Sequence, residues 1–437
     1  MNKKVVLIFL ATLAIVVGGG YYYGWQHFNR PVSDRGIPPF NGQTPQPLGV
    51  TTTNINEQPT NDEVTVAKRA KKICQLIGDT DRERDEPTRS LTQTRYKVLG
   101  TDNGVPFTHN GGTYLLFGDT AGVHSRENRL SDSIAYTTDT NPEQCLKLDF
   151  ISGSDGAYQP IVIPGVTTGA FEVPIEGVSV DDTMYLYYTT DTTSQTVGGQ
   201  ITQHIGRTIV AVSQDNGKTF RSLYDLSKLN FLMVSIVEVE AADWPGLPWT
   251  TGKTLVIFGG QHSRDSIYLA VQPKDKIEDR SAIRYFSGVD AAGQPRWSTE
   301  ESAAVPAITN LASSAGFSVS YNTFINKWLF LDHTQNGSMR GITMRTADRP
   351  WSAWSKSQIL FNPVVDNGYC HFIHAPAKQR CDTISDPTRN DTPGGEYGPF
   401  QFEHFAMGSG NATTIYFTMS TWNPYTVILM TATLEKK

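Results

Sequence analysis

The feature that most constrains the fold is a repeated pair of apolar segments. Five short runs, apolar at odd and even positions alike, are each followed after a polar stretch by a second such run. The first runs are Thr113–Gly118 (TYLLFG), Thr183–Tyr188 (TMYLYY), Thr254–Gly259 (TLVIFG), Lys327–Leu331 (KWLFL) and Thr414–Thr418 (TIYFT). Their partners are Ser133–Thr137, Thr208–Ser213, Ser266–Val271, Gly341–Arg345 and Thr426–Thr431. A strand with one wet face alternates apolar and polar residues, so runs without alternation need cover on both faces. Blades stacked face to face around an axis provide it, and the expectation is an all-β, five-bladed β-propeller in which each first run opens a blade. Charged residues at 18%, with 38 Gly and 24 Pro, fit a turn-rich sheet protein rather than a helical or disordered chain. One segment, Val66–Leu76, rich in Ala, Lys and Arg, reads either as a helix or as an outer strand closing the ring with the last blade.

The N-terminus carries a targeting pattern. Lys3 and Lys4 precede the apolar run Val5–Val17, which continues through three glycines to Tyr21, Tyr22, Tyr23 and Trp25 without a clean small-x-small cleavage site. Residues 1–25 are therefore expected to be an uncleaved signal anchor, with residues 5–25 spanning the inner membrane as a helix and the lysines inside. A cleaved signal peptide is the alternative. Residues 26–62, rich in Pro, Gly, Thr, Asn and Gln, read as a flexible linker, and residues 63–437 as the propeller. Either version places the propeller outside the cytoplasm, in the cell envelope, periplasmic or extracellular. There the four cysteines can pair. Cys370 with Cys381 closes a local loop, leaving Cys74 with Cys145. Cys370, His371, His374 and Cys381 also raise a zinc site, but their spacing matches no usual ligand pattern. The net charge of −6 excludes a nucleic-acid partner and leaves a neutral polysaccharide open.

Two aspartates carry the chemical reading. In GTDNGVPFTHNGGTYLLFGDT, residues 100–120, Asp102 precedes the first apolar run and Asp119 ends it. A hairpin through Asn110, Gly111 and Gly112 brings both to one end of the blade, near the channel mouth. Glycoside hydrolysis needs such a pair, one carboxyl protonated and one ionised; the bland account is that each aspartate only caps a turn. Glu176, with Glu172 as its rival, stands before the second blade's run and could tune the pair's proton affinity. Arg264 and His262 could hold sugar hydroxyls, unless Arg264 only pairs with Asp265. Trp422 and Tyr425, flanking Asn423, could stack on and bind a sugar ring, or be inter-blade core. Ser213–Phe220 (SQDNGKTF) fits the Asp-box hairpin, which signals architecture. Asp382, Asp386 and Asp391 could hold calcium, though a solvated loop is the simpler reading, and no cofactor is expected.

The stretches GTDNGVPF, YLLFGDT, SRDSIYLA, YFSGVDAAGQPRWS, GFSVSYNTFINKWLFL, RPWSAWS, YGPFQFEHF and IYFTMSTWNPYTVILMTATL occur in an order that resembles the bacterial domain-of-unknown-function 4185 family. Some of its members are endo-D-arabinanases of glycoside hydrolase family 183. The resemblance covers residues from about Tyr96 to Leu434. It implies a five-bladed propeller acting on α-linked D-arabinofuranosyl polymers, with the catalytic carboxylates carried over to Asp102 and Asp119. The loop Ala375–Gly395 has no match in it. A non-catalytic carbohydrate-binding or envelope scaffold, and another exo-glycosidase such as a sialidase-like enzyme, are the alternatives.

Overall fold

The computed structural model describes residues 63–437 apart from 126–129, 170, 198–199, 262, 312, 337–338, 376–380, 388 and 390–391. The expected signal anchor and linker, His262 and Asp391 lie outside the described residues. Among the described residues, no helix is long and apolar enough to cross a membrane.

The chain folds as a five-bladed β-propeller. Blade 1 is Val98–His109, Gly112–Gly122, Ser131–Thr137 and Asp149–Phe150, each strand antiparallel to the next. Blade 2 is Pro174–Val180, Thr183–Thr190, Arg207–Ser213 and Arg221–Ser227. Blade 3 opens with Met233–Glu240, Lys253–Gly260, Ile267–Pro273 and Arg284–Val289, and blade 4 is Ser313–Asn322, Lys327–Asn336, Met339–Ala347 and Gln358–Phe361. Blade 5 is Gly395–Gln401, Ala412–Trp422 and Thr426–Lys436, and its outermost strand is Val64–Gln75 from the start of the described chain. The opening strands of the five blades touch in sequence, the fifth returning to the first, and surround the axis.

This order corrects one expectation. The five all-apolar first runs are the second strands of their blades, and each is preceded by a more polar innermost strand. The second and third strands are covered on both faces by neighbouring blades, so they lose alternation. The innermost strands line the axial channel and keep polar residues. Asp102 therefore lies within a strand, not before one.

The apolar clusters lie between blades, as the unalternating runs require. Val105, Leu116, Ile134, Leu186 and Ile209 join blades 1 and 2. Phe258, Phe317, Trp328 and Phe330 join blades 3 and 4, and Leu329, Met344, Phe417 and Met430 join blades 4 and 5. Leu115, Phe117, Tyr416 and Leu429 close blade 5 on blade 1. Val66–Leu76 resolves as the closing strand: Val64 pairs with Lys436 and Gln75 with Ile428. Cys74 is bonded to Cys145 and Cys370 to Cys381, the pairing expected. The Asp-box is a turn held by its aspartate, which accepts from Thr219 N–H at 2.8 Å and Thr219 Oγ1 at 2.6 Å.

Candidate active site

The aspartates of blade 1 meet because of a bulge. Asp102 pairs with Gly118 and Gly100 with Ala121, so Asp119 and Thr120 oppose the single residue Thr101. The extra residue turns Asp119 out of the ladder at φ 48°, a left-handed conformation uncommon for non-glycine residues that aspartate tolerates better than most. Gly118 allows the close approach: a Cβ there would stand 2.6 Å from Asn103 Nδ2 and 3.0 Å from Asp102 Oδ1. Both aspartates are 7% exposed and sit at the same end of the innermost hairpin.

A third carboxyl, which the sequence reading missed, lies against them. Asp132, at the start of the strand Ser131–Thr137, is 1% exposed and accepts the Asp119 backbone N–H at 3.0 Å. Burial pushes its carboxyl well above the ordinary carboxylate range; the Tyr188 hydrogen bond opposes this, and the charges of Asp119 and Asp102 add to it. Tyr188 comes from blade 2, so this contact crosses between blades. Two further phenols reach in from blade 5: Tyr397 Oη donates to Asp102 Oδ2 at 2.9 Å, and Tyr425 Oη donates to the Asp119 carbonyl at 2.9 Å. Tyr397 lies in YGPFQFEHF, and only its pairing across blades reveals its role.

The remaining expected residues are distributed differently. Trp422 is 5% exposed and its ring meets Tyr425 edge-on, so it packs within the blade end and is not an open platform. Asn423 is buried, and its amide donates to the Thr392 carbonyl, shaping the turn. Arg264, half-buried at φ 55°, feels Asp332 of blade 4: burial lowers its proton affinity and Asp332 opposes that. Blade 4 also places the buried His333 3.5 Å from the buried Glu396 of blade 5. The zinc reading fails because Cys370 and Cys381 are bonded to each other. Of the residues named for calcium, Asp382 and Asp386 hold His374 between them, at 3.2 and 3.1 Å, with Arg389 and Arg82 as further partners, and Asp391 lies outside the described residues. Among the described residues, no group of three or more metal-ligating side chains is assembled.

Glu176 does not join the aspartates. The register shifts between Pro174 and Glu176, and the side chain turns into a cavity of about 530 Å³ at the opposite end of the innermost strands. Residues 105–111, Ser235, Gln401, Glu403 and His404 share its walls, and none of the three aspartates does. Glu176 accepts the backbone N–H groups of Gly177 and Ile236, each at 2.9 Å. Burial outweighs those bonds and pushes it up to about 8. Unfolded, Glu176 would titrate near about 4.3, so the folded state keeps a proton that the unfolded chain has released. Its contribution is fully present below that value and is lost as pH rises toward 8. The melting temperature is expected to be higher near pH 5.5 than near pH 8.5, with Glu176 alone worth on the order of a few kcal/mol. A scanning-calorimetry series that is flat or rises over this range would contradict the assignment.

Comparison with known proteins bears on the family. No curated protein sequence matches the chain significantly. Similar solved structures include a glycosyl hydrolase from Bacteroides ovatus, 14% identical over 84% of this chain and 93% of that one, with a TM-score of 0.41. The native arabinanase of Bacillus subtilis is 11% identical over 76% and 96%, with a TM-score of 0.35. A family 117 glycoside hydrolase of Zobellia galactanivorans is 12% identical over 86% and 91%, with a TM-score of 0.40. At these identities and TM-scores the likeness carries no conclusion. The family match is of another order: the model described as domain of unknown function (DUF4185) covers residues 88–431, from just before blade 1 to the penultimate strand of the last blade's sheet, and the chain belongs to that family.

Proposed function

We propose that the chain is a glycoside hydrolase that cleaves α-D-arabinofuranosyl linkages within extracellular D-arabinan. The observation that supports it is the convergence of Asp102 and Asp119 at one end of the blade 1 hairpin, with Asp132 behind them. Clustered carboxyls cannot all ionise together, so a site of this kind holds a proton beside a negative charge, which is what glycosidic cleavage needs. Asp102 takes the role of general base: the Tyr397 hydroxyl donates to it, which suits a carboxylate that stays ionised. Asp119 takes that of general acid, protonating the leaving oxygen. The reaction inverts the anomeric centre, with a water held between Asp102 and the sugar; such enzymes separate the two carboxyls by roughly 6.5–9.5 Å. Arg264 and Tyr425 hold substrate hydroxyls in this reading. The choice of D-arabinan rests on GTDNGVPF and YLLFGDT, which contain both aspartates and resemble the endo-D-arabinanases.

Residues 5–25 would tether the enzyme in the inner membrane, with the propeller facing the envelope polymer. The test is a panel of D-arabinan, L-arabinan, xylan, chromogenic L-arabinofuranosides and sialosides. The reading predicts oligosaccharides from D-arabinan alone, with the new reducing end inverted by NMR. Binding to these polymers without turnover of any would instead make the protein a carbohydrate-binding scaffold.

A further inference from the structure

The hydrogen bonds around Asp132 specify where a proton sits. Its Oδ1 accepts the N–H of Asp119, the residue held at φ 48° in the bulge. Its Oδ2 is hydrogen-bonded to the Tyr188 hydroxyl. That hydroxyl also accepts the Gly169 N–H at 3.2 Å and stands 3.1 Å from the Glu172 carbonyl oxygen. A phenol has one proton to give, and a carbonyl oxygen can only accept. With the phenol proton on the Glu172 carbonyl, the contact to Asp132 lacks one unless Asp132 supplies it. Only a protonated Asp132 puts a hydrogen in each of the three contacts.

The surroundings agree. Asp132 faces Asp119 and Asp102 from its own blade, Tyr188 from blade 2 and the charge of Glu172 beyond it, while Tyr158 bonds the adjacent Ser131 at 2.7 Å. An ionised Asp132, itself 1% exposed, would add a buried negative charge beside the ionised Asp102. Burial there favours the neutral form.

We propose that Asp132 is the positioning residue of the aspartate pair, a neutral carboxylic acid that anchors the Asp119 backbone and links it across the blade interface to Tyr188. The proposal deepens the hydrolase reading and rests on it for its kinetic consequences. Asp132 fulfils from within blade 1 the tuning role the sequence suggested for Glu176. It keeps the bulge in its left-handed conformation and leaves the working charge to Asp102 and the working proton to Asp119.

The test compares Asp132→Asn with Asp132→Ala in the full chain. An asparagine reproduces a neutral acid: its oxygen accepts from Asp119 N–H and its amide donates to Tyr188. Asp132→Asn is expected to keep kcat on D-arabinan within about fivefold of wild type near pH 5.5, and to hold activity further into the alkaline range because nothing at 132 can ionise. Asp132→Ala is expected to lower kcat about 100-fold with little change in KM. Loss in Asp132→Asn as deep as in Asp119→Asn, or full activity in Asp132→Ala, would overturn the proposal. A measurement without substrate keeps the two readings apart. In protein labelled with 13C at the aspartate carboxyls, one signal is expected at the protonated shift at pH 7, absent from Asp132→Asn. No such signal overturns the neutral acid; its presence in a protein that cleaves nothing upholds it while the hydrolase reading fails.

Discussion

Asp119→Asn and Asp102→Asn are each expected to lower kcat on D-arabinan by about 1,000-fold or more, because general acid and general base groups each contribute roughly 10²–10⁴ and neither amide can take over the role. The fold is expected to be unaffected. In Asp102→Asn the amide oxygen still accepts the Tyr397 hydroxyl, and the Asp119 contacts to Asp132 and Tyr425 use its backbone. The two variants are expected to separate by leaving group. An aryl arabinofuranoside whose phenol leaves unprotonated restores much of the rate to Asp119→Asn and none to Asp102→Asn. Reducing-sugar release and circular-dichroism melts check both halves of the statement. Unchanged rates in folded variants would remove both residues from the chemistry.

Replacing Cys74 and Cys145 by alanine is expected to destabilise the propeller by roughly 4 kcal/mol, the loop-closure value for a bridge of this span. The bond joins residues 71 apart in sequence and ties the closing strand, Val64–Gln75, to the end of blade 1. A propeller opens most easily at the seam where its first and last strands meet, and here that seam adjoins the blade that carries the aspartates. Cys370–Cys381 closes only 11 residues and lies in the loop before blade 5, so its removal should cost less. Denaturant unfolding of the two double variants measures the difference. Equal losses would show that loop closure is not what the longer bridge contributes.

The parts of this fold that could be read from sequence are those whose environment is uniform. The second and third strands of each blade are packed on both faces, and unbroken runs such as LLF and LVIF declare it. The innermost strands were hidden because their channel side tolerates polar residues: Val98–His109 contains Thr101, Asp102 and Asn103 and reads as a loop. The closing strand was ambiguous because Lys68, Arg69 and Lys71 face solvent, and only the pairing with Thr426–Lys436 decides between strand and helix. Asp102 and Asp119 were legible because a local hairpin brings them together. Asp132 and Tyr397 were not, because their partners arrive from elsewhere in the chain: Tyr188 lies 56 residues from Asp132, and Tyr397 lies 295 from Asp102. Glu176 was misplaced because a register shift after Pro174 turns it down the channel, a detail that matching positions between blades cannot anticipate.

The most direct test of the account is a crystal structure of Asp119→Asn soaked with a D-arabino-oligosaccharide. The account predicts a furanose ring at the blade 1 end of the axis, its glycosidic oxygen beside residue 119 and a water between its anomeric carbon and Asp102. An oligosaccharide bound only in the Glu176 cavity, at the other end of the innermost strands, would contradict it.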